Sequence, residues 1–312
     1  MKKDLISIDD LTLEQIMEYL DLAARVESIP DAEKASLLPG KLLATLFFEP
    51  STRTRLSFEA AMCRLGGRVI GFSEAANSST SKGESFSDTI RTVEQYADLI
   101  AVRHPKEGTA RLASEIASVP ILNAGDGSNQ HPTQTLLDLY TIRKFFGKVA
   151  GLKIALVGDL KYSRTIHSLC HALLMFDQVS IRLVSPDSLR LPSYLMKAAA
   201  GTTTTFEEVD SLEEAIAQSD LVYMTRIQKE RFPDLVDYEK VKNVYCLDAA
   251  MLADVPEPFK VLHPLPRVNE ISPDVDATPY AGYFEQARNG MIMRQALILD
   301  LLDARPEPRS TI

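Results

Sequence analysis

Arginines, histidines and hydroxyl-bearing residues recur in this sequence just after short apolar runs. The first such segment, Glu49-Pro50-Ser51-Thr52-Arg53-Thr54-Arg55, follows the run Leu42 to Phe48. Pro50 cannot donate to a strand ladder, and Ser51 is a good N-cap for a helix beginning at Thr52. The unpaired N–H groups of Ser51 to Thr54 and the helix dipole together favour a phosphate at this end. Arg53 and Arg55 add charge, and a guanidinium can grip phosphate oxygens bidentately. Taken alone, the segment also fits an ordinary capped helix with solvated arginines. The other loops decide between the two.

Arg103-His104 follows Leu99 to Val102, and Asn123 to Asn129 after Val119 to Leu122 leads into His131-Pro132-Thr133-Gln134. Proline suits the first helical position, so His131 and Gln134, three apart, could face one ligand from a helix start. Gly158-Asp159-Leu160-Lys161-Tyr162-Ser163-Arg164 follows Lys153 to Val157, Thr225-Arg226-Ile227-Gln228 follows Leu221 to Met224, and His263-Pro264-Leu265-Pro266-Arg267 follows Lys260 to Leu262. Ligands of open α/β sheets bind beyond the carboxyl ends of strands. Six such ends deliver at least four arginines and two histidines, which predicts an anion site. Ser78 to Glu84 reads by itself as a polar surface loop with a solvated Lys82. Neither the three-glycine dinucleotide fingerprint nor a Walker A lysine motif is present, so NAD is set aside. No nucleophile stands paired with a base.

These loops need a scaffold. The 312 residues are too many for one ordinary core and suit two α/β domains. Apolar runs alternate with amphipathic stretches, the pattern of βαβ units around parallel sheets. Helices are predicted over Thr52 to Leu65, Phe86 to Ala97, Thr109 to Ala117 and Pro132 to Phe145, with Leu56, Ala60 and Cys63 on one face of the first. Gly66-Gly67 ends that helix where a positive φ is needed. Further strands are expected at Val69 to Phe72, Ser180 to Val184 and Val244 to Leu247. Phe146 to Gly151 is the expected hinge, so the domains are residues 1–146 and 147–287, with a C-terminal helix centred on Gly290 to Leu302 completing the first from 288–312. A net charge of −9, spread along the chain, argues against nucleic acid or an anionic membrane as partner. No apolar run approaches the roughly 20 residues that span a bilayer, and no secretory pattern opens the chain, so a cytoplasmic location is expected. Cys63, Cys170 and Cys246 lack metal-ligand spacing and are expected to be free, buried thiols.

Taken together, the motifs Phe48 to Arg55, Lys82-Gly83-Glu84, Arg103-His104-Pro105, His131-Pro132-Thr133-Gln134 and His263 to Arg267 resemble the transcarbamoylase family, in the same order and over nearly the whole chain. The resemblance implies two doubly wound parallel-sheet domains with the active site in the cleft between them. It implies carbamoyl transfer from carbamoyl phosphate to an amine, and a homotrimer with shared active sites. His263-Pro264-Leu265-Pro266 stands where ornithine-using members typically carry His-Cys-Leu-Pro, and Arg164 and Arg226 suit the two carboxylates of L-aspartate. The implied product is N-carbamoyl-L-aspartate, made early in pyrimidine biosynthesis. The rivals are ornithine carbamoyl transfer and a non-catalytic scaffold.

Carried onto matching positions, the resemblance has Ser51, Thr52, Arg53, Thr54, Arg103, His131 and Gln134 hold carbamoyl phosphate, with backbone carbonyls of Leu265 and Pro266 on its amide across a cis peptide. Arg53, Thr54, Arg103 and His131 are the expected catalytic set. Arg164, Arg226, Gln228 and Lys82 would hold aspartate, with Lys82 and Ser79 (or Ser78) inserted from a neighbouring subunit. No metal or cofactor is implied, because the arginines already neutralise the anions. Whether a separate regulatory chain binds is left open.

Overall fold

The computed structural model describes residues 3–74, 83–227, 232, 234–242 and 244–307. Ser79, Lys82 and Gln228 lie outside them. Two compact units divide the chain, Met1–Tyr140 with Asn289–Ile312, and Thr141–Arg288.

The first unit holds α1 (Leu13–Ser28), α2 (Asp31–Lys34), β1 (Leu42–Phe47), α3 (Thr52–Arg64), β2 (Arg68–Phe72), α4 (Phe86–Val93), β3 (Leu99–His104), α5 (Thr109–Ile116), β4 (Ile121–Asp126) and the start of α6 (Pro132–Phe146). Its four strands run parallel in the order β2-β1-β3-β4. Burial explains the order. β1 and β3, rich in Leu, Ile, Ala and Val, are central and almost wholly buried, whereas β2 forms an edge with exposed positions. The chain steps from β1 outward to β2 and then returns to β3, so a topological switch point lies between β1 and β3.

The second unit contains β5 (Lys153–Val157), α7 (Arg164–Leu173), β6 (Ser180–Val184), α8 (Ser193–Ala198), β7 (Thr205–Glu208), α9 (Leu212–Ala217), β8 (Leu221–Met224), α10 (Leu235–Val241) and β9 (Lys260–Leu262). Its five parallel strands are ordered β7-β6-β5-β8-β9, which puts a second switch point between β5 and β8. α11 (Tyr283–Leu301) is the last helix among the described residues.

Several expectations need correction. Val244 to Leu247 is not a strand; β8 and β9 pair directly, leaving no slot between them, and only Leu247 forms a bridge, to Ile271. β7 was not anticipated, because Thr-Phe-Glu-Glu at a sheet edge carries a weak apolar signal. β4 begins later and runs on through Asn123 to Asp126, where the Asn123 side chain bonds Ile6 O, Asp126 Oδ1 and Gly125 N. α11 starts at Tyr283, before Gly290. A side chain at Gly290 would press on Leu137 and Arg294, so glycine is there for packing. The face of α3 carrying Leu56, Ala60 and Cys63 does not point to the core; Phe58, Ala61 and Met62 do, while Leu56 is 54% exposed. Cys63 and Cys246 are exposed and only Cys170 is buried, its thiol pushed up to about 12 by desolvation. Gly66 does end α3 at φ 86°, with its Cα against the backbone of Ala35.

Candidate active site

The switch point of the first unit lies where Ser51 to Thr54 and Arg103, read from the sequence as candidate anion ligands, follow β1 and end β3. β1 stops before Pro50, and α3 starts at Thr52 with Ser51 as its N-cap in extended conformation. Ser51 makes no side-chain capping bond, so its hydroxyl is not spent on the helix start. Thr52 and Arg53 are exposed there and Thr54 is half-buried. Arg55 differs: its Nε donates to Glu59 Oε1 at 2.8 Å, a bond within the helix that neutralises its charge locally.

Arg103 is the penultimate residue of β3, beside β1. Its guanidinium lies 2.8 Å from Glu49 Oε1 and reaches Ala124 O at 3.4 Å. His104, the next residue, is a packing group. Its ring lies against Phe48 and Phe86, its Nδ1 accepts from Lys106 N at 3.0 Å, and burial depresses its pKa.

His131 precedes α6, and its carbonyl accepts from Gln134 N and Thr135 N, the first bonds of that helix. The ring is buried, with Nδ1 3.4 Å from Thr133 Oγ1. Gln134 Nε2 donates to the buried Asp138 carboxylate at 2.9 Å. Behind both sits Arg294 of α11, 3% exposed, which donates to Ser57 Oγ at 2.9 Å and Thr133 Oγ1 at 3.4 Å and stacks over Phe58. Burial lowers the Arg294 pKa to about 10, against the opposing charge of Asp138, so it stays cationic at neutral pH. Asp138 and Arg294 were missed because nothing marks a polar residue inside a helix as buried until its neighbours are known.

In the second unit, Arg164 and Arg226 follow β5 and β8, the two sides of its switch point. Ser163 caps α7 by accepting from Ile166 N, so Arg164 is the first helical residue. Gly158 at φ 113° lets the chain pass Thr225; a Cβ there would sit 2.3 Å from Thr225 O. The Thr225 hydroxyl accepts from Asp159 N at 3.1 Å and donates to Val157 O at 2.9 Å, tying the two arginine-bearing loops together. Arg226 lines a small hollow shared with Lys242, Tyr245 and Glu270.

Leu265 and Pro266 are joined by a cis peptide, and Leu265 adopts φ 54°. His263 holds this turn. Its Nδ1 accepts from Leu265 N at 2.7 Å, so the ring proton is on Nε2 and donates to Glu270 Oε1 at 2.8 Å. Glu270 also accepts from Val268 N and Asn269 N. Burial presses the Glu270 carboxyl upward in pKa, but these bonds prevail and hold it below the usual carboxylate range. The sequence had placed His263 in the motif without a role and had not singled out Glu270.

Comparisons with known proteins place both units in one family. Residues 3–144 match the carbamoyl-phosphate-binding domain of aspartate/ornithine carbamoyltransferases, and residues 150–301 match their Asp/Orn-binding domain. The chain belongs to the aspartate/ornithine carbamoyltransferase family. Within it, the chain is 54% identical over 297 residues to the aspartate carbamoyltransferase catalytic subunit of Thermococcus onnurineus, covering 95% of this chain and 96% of that relative. The M. jannaschii aspartate transcarbamoylase catalytic subunit has a similar fold, with a TM-score of 0.90 and 52% identity, covering 97% of this chain and 98% of the other. The Trypanosoma cruzi aspartate transcarbamoylase, solved with N-(phosphonacetyl)-L-aspartic acid, gives a TM-score of 0.89 and 41% identity over 95% of each chain. Among the described residues no cluster of His, Cys, Asp or Glu could hold a metal ion, and no helix is long and apolar enough to cross a membrane.

Proposed function

We propose that this chain transfers the carbamoyl group of carbamoyl phosphate to the amino group of L-aspartate, giving N-carbamoyl-L-aspartate and phosphate for pyrimidine synthesis. The observation that carries it is the open start of α3 on a parallel-sheet switch point, with the Ser51 hydroxyl unspent and Arg103 on the adjacent strand. Ser51, Thr52, Arg53, Thr54 and Arg103 receive the phosphate, which competes with Glu49 for the Arg103 guanidinium. His131, Gln134 and the carbonyls of Leu265 and Pro266 receive the carbamoyl group. Arg164 and Arg226, with Gln228, take the carboxylates of aspartate. The aspartate homologues and the bisubstrate-bound Trypanosoma cruzi enzyme support aspartate over ornithine.

In the reaction the neutral amine attacks the carbamoyl carbon, a C–N bond forms, and the C–O bond breaks with its electron pair leaving on phosphate. The phosphate dianion accepts the amine proton, and no covalent enzyme intermediate is needed. Fixed donors aimed at the carbamoyl oxygen and leaving phosphate supply the largest share of catalysis, and holding both substrates in place supplies the rest.

The purified protein is expected to form carbamoyl aspartate from aspartate and to leave ornithine unused; turnover with ornithine alone would overturn the proposal. Arg226→Ala is expected to raise the aspartate KM about 10- to 100-fold, the worth of a charged hydrogen bond. An unchanged aspartate saturation curve would remove Arg226 from the site.

Homotrimeric assembly with shared sites is part of the same reading. Leu56 on α3, at 54%, Ile70 on the edge strand β2, at 38%, and Tyr96, at 63%, are exposed apolar groups of the first unit that a neighbouring subunit would cover. Lys82 and Ser79 would then complete a neighbour's site. Mixing an Arg53→Ala protein with a Lys82→Ala protein is expected to restore part of the activity through hybrid sites. No recovery after subunit exchange, verified by native mass measurement, would argue for self-contained sites. A cytoplasmic location is part of the same reading; carbamoyl phosphate is doubly charged and crosses bilayers poorly, which favours its use in the compartment where it forms.

A further inference from the structure

We infer that a buried second layer, Asp138, Thr133 and Arg294, sets the hydrogen-bonding polarity of Gln134 and His131 so that together they recognise a carbonyl beside an NH2 group. The inference rests on the proposed placement of carbamoyl phosphate at these two residues.

Two bonds carry it. An ionised carboxylate only accepts, so Asp138 takes the amide nitrogen of Gln134, four residues earlier on the same helix face, at 2.9 Å. The planar amide then turns its oxygen away from Asp138, leaving an acceptor where the substrate lies. Thr133 does the complementary work on His131. Its oxygen accepts from the Arg294 guanidinium at 3.4 Å, and it lies at the same distance from His131 Nδ1. A hydroxyl that accepts from a cation becomes a poorer acceptor and a better donor, so its proton goes to Nδ1. The ring therefore carries its own proton on Nε2 and offers a donor.

Arg294 holds both halves. It is fixed by Ser57 Oγ at 2.9 Å and by the face of Phe58, and its charge faces Asp138. The outcome is one donor for the carbamoyl oxygen and one acceptor for the carbamoyl NH2. Acetyl phosphate keeps the first group and replaces the second with a methyl, so it reads the two halves separately.

Asp138→Asn allows the Gln134 amide to turn over. It is expected to weaken carbamoyl phosphate about 10-fold, the loss of one matched hydrogen bond, while inhibition by acetyl phosphate stays unchanged. Thr133→Val is expected to weaken both ligands, with Thr133→Ser restoring them. In ¹⁵N spectra of histidine-labelled protein, Thr133→Val is also expected to shift His131 from a single Nε2–H form to a mixture. Equal weakening of both ligands by Asp138→Asn, or no change, would overturn the assignment for Gln134; an unchanged His131 spectrum in Thr133→Val would overturn it for His131. His131→Ala and Gln134→Ala serve as controls. If neither alters carbamoyl phosphate binding, the substrate placement itself falls and this inference with it; if both do while the second-layer variants are silent, the inference alone falls.

Discussion

Arg53→Ala is expected to lower turnover by about 100- to 1,000-fold, the loss seen when one fixed donor to developing charge is removed. Arg53 is the second residue of α3, at the end where the helix dipole is positive, and its side chain is exposed. Substitution there removes no core packing, so unfolding free energy should stay within about 0.5 kcal/mol of the parent. That separation makes the test sharp. Steady-state kinetics with both substrates, run beside thermal unfolding, checks it. Near-parental turnover would take Arg53 out of the chemistry, and a matching collapse in stability would mark it as structural.

Glu270→Ala is expected to cost about 1–3 kcal/mol in stability, because it removes the acceptor of the Nε2–H of buried His263, and with it the shared acceptor of the Val268 and Asn269 N–H groups, which face water. The turn that presents Leu265 loses its anchor through the same change, so carbamoyl phosphate KM should rise as well. Denaturant unfolding and kinetics together measure both effects. Glu270 also has a pH signature. Its carboxyl titrates below the ordinary value in the folded protein, so it adds stability above the unfolded-state pKa. That contribution fades as pH falls through the lower, folded-state value. The parent should therefore lose stability relative to Glu270→Ala on acidification. Parallel stability profiles for the two proteins would show that ionisation of Glu270 is not coupled to folding.

Much of the scaffold was legible because local chemistry and tertiary context agree. The central strands β1, β3, β5 and β8 are near-continuous apolar runs, which only burial on both faces explains. Pro50 and Ser51 mark a strand end and a helix start through backbone chemistry alone. Where local signals were weak or shared, the reading failed. Val244 to Leu247 is apolar enough for a strand, yet a strand exists only where a neighbour offers hydrogen bonds, and β8 and β9 offer them to each other. The stripe Leu56, Ala60, Cys63 has helical spacing, but spacing does not say which face meets the sheet.

The sequence by itself determined which loops carry guanidinium, imidazole and amide groups, and pointed to a helix start among them as the expected anion site. These follow from residue type and from φ, ψ and hydrogen-bonding limits that act within a few residues. Only the tertiary structure decided which strand ends become switch points and which charges are already engaged, as Arg55 is by Glu59 and Arg103 by Glu49. It alone decided that Asp138 and Arg294 stand behind the site. Those outcomes depend on strand order and on side chains as far as 237 residues apart, as for Arg294 and Ser57, and such contacts leave no periodic trace in the chain.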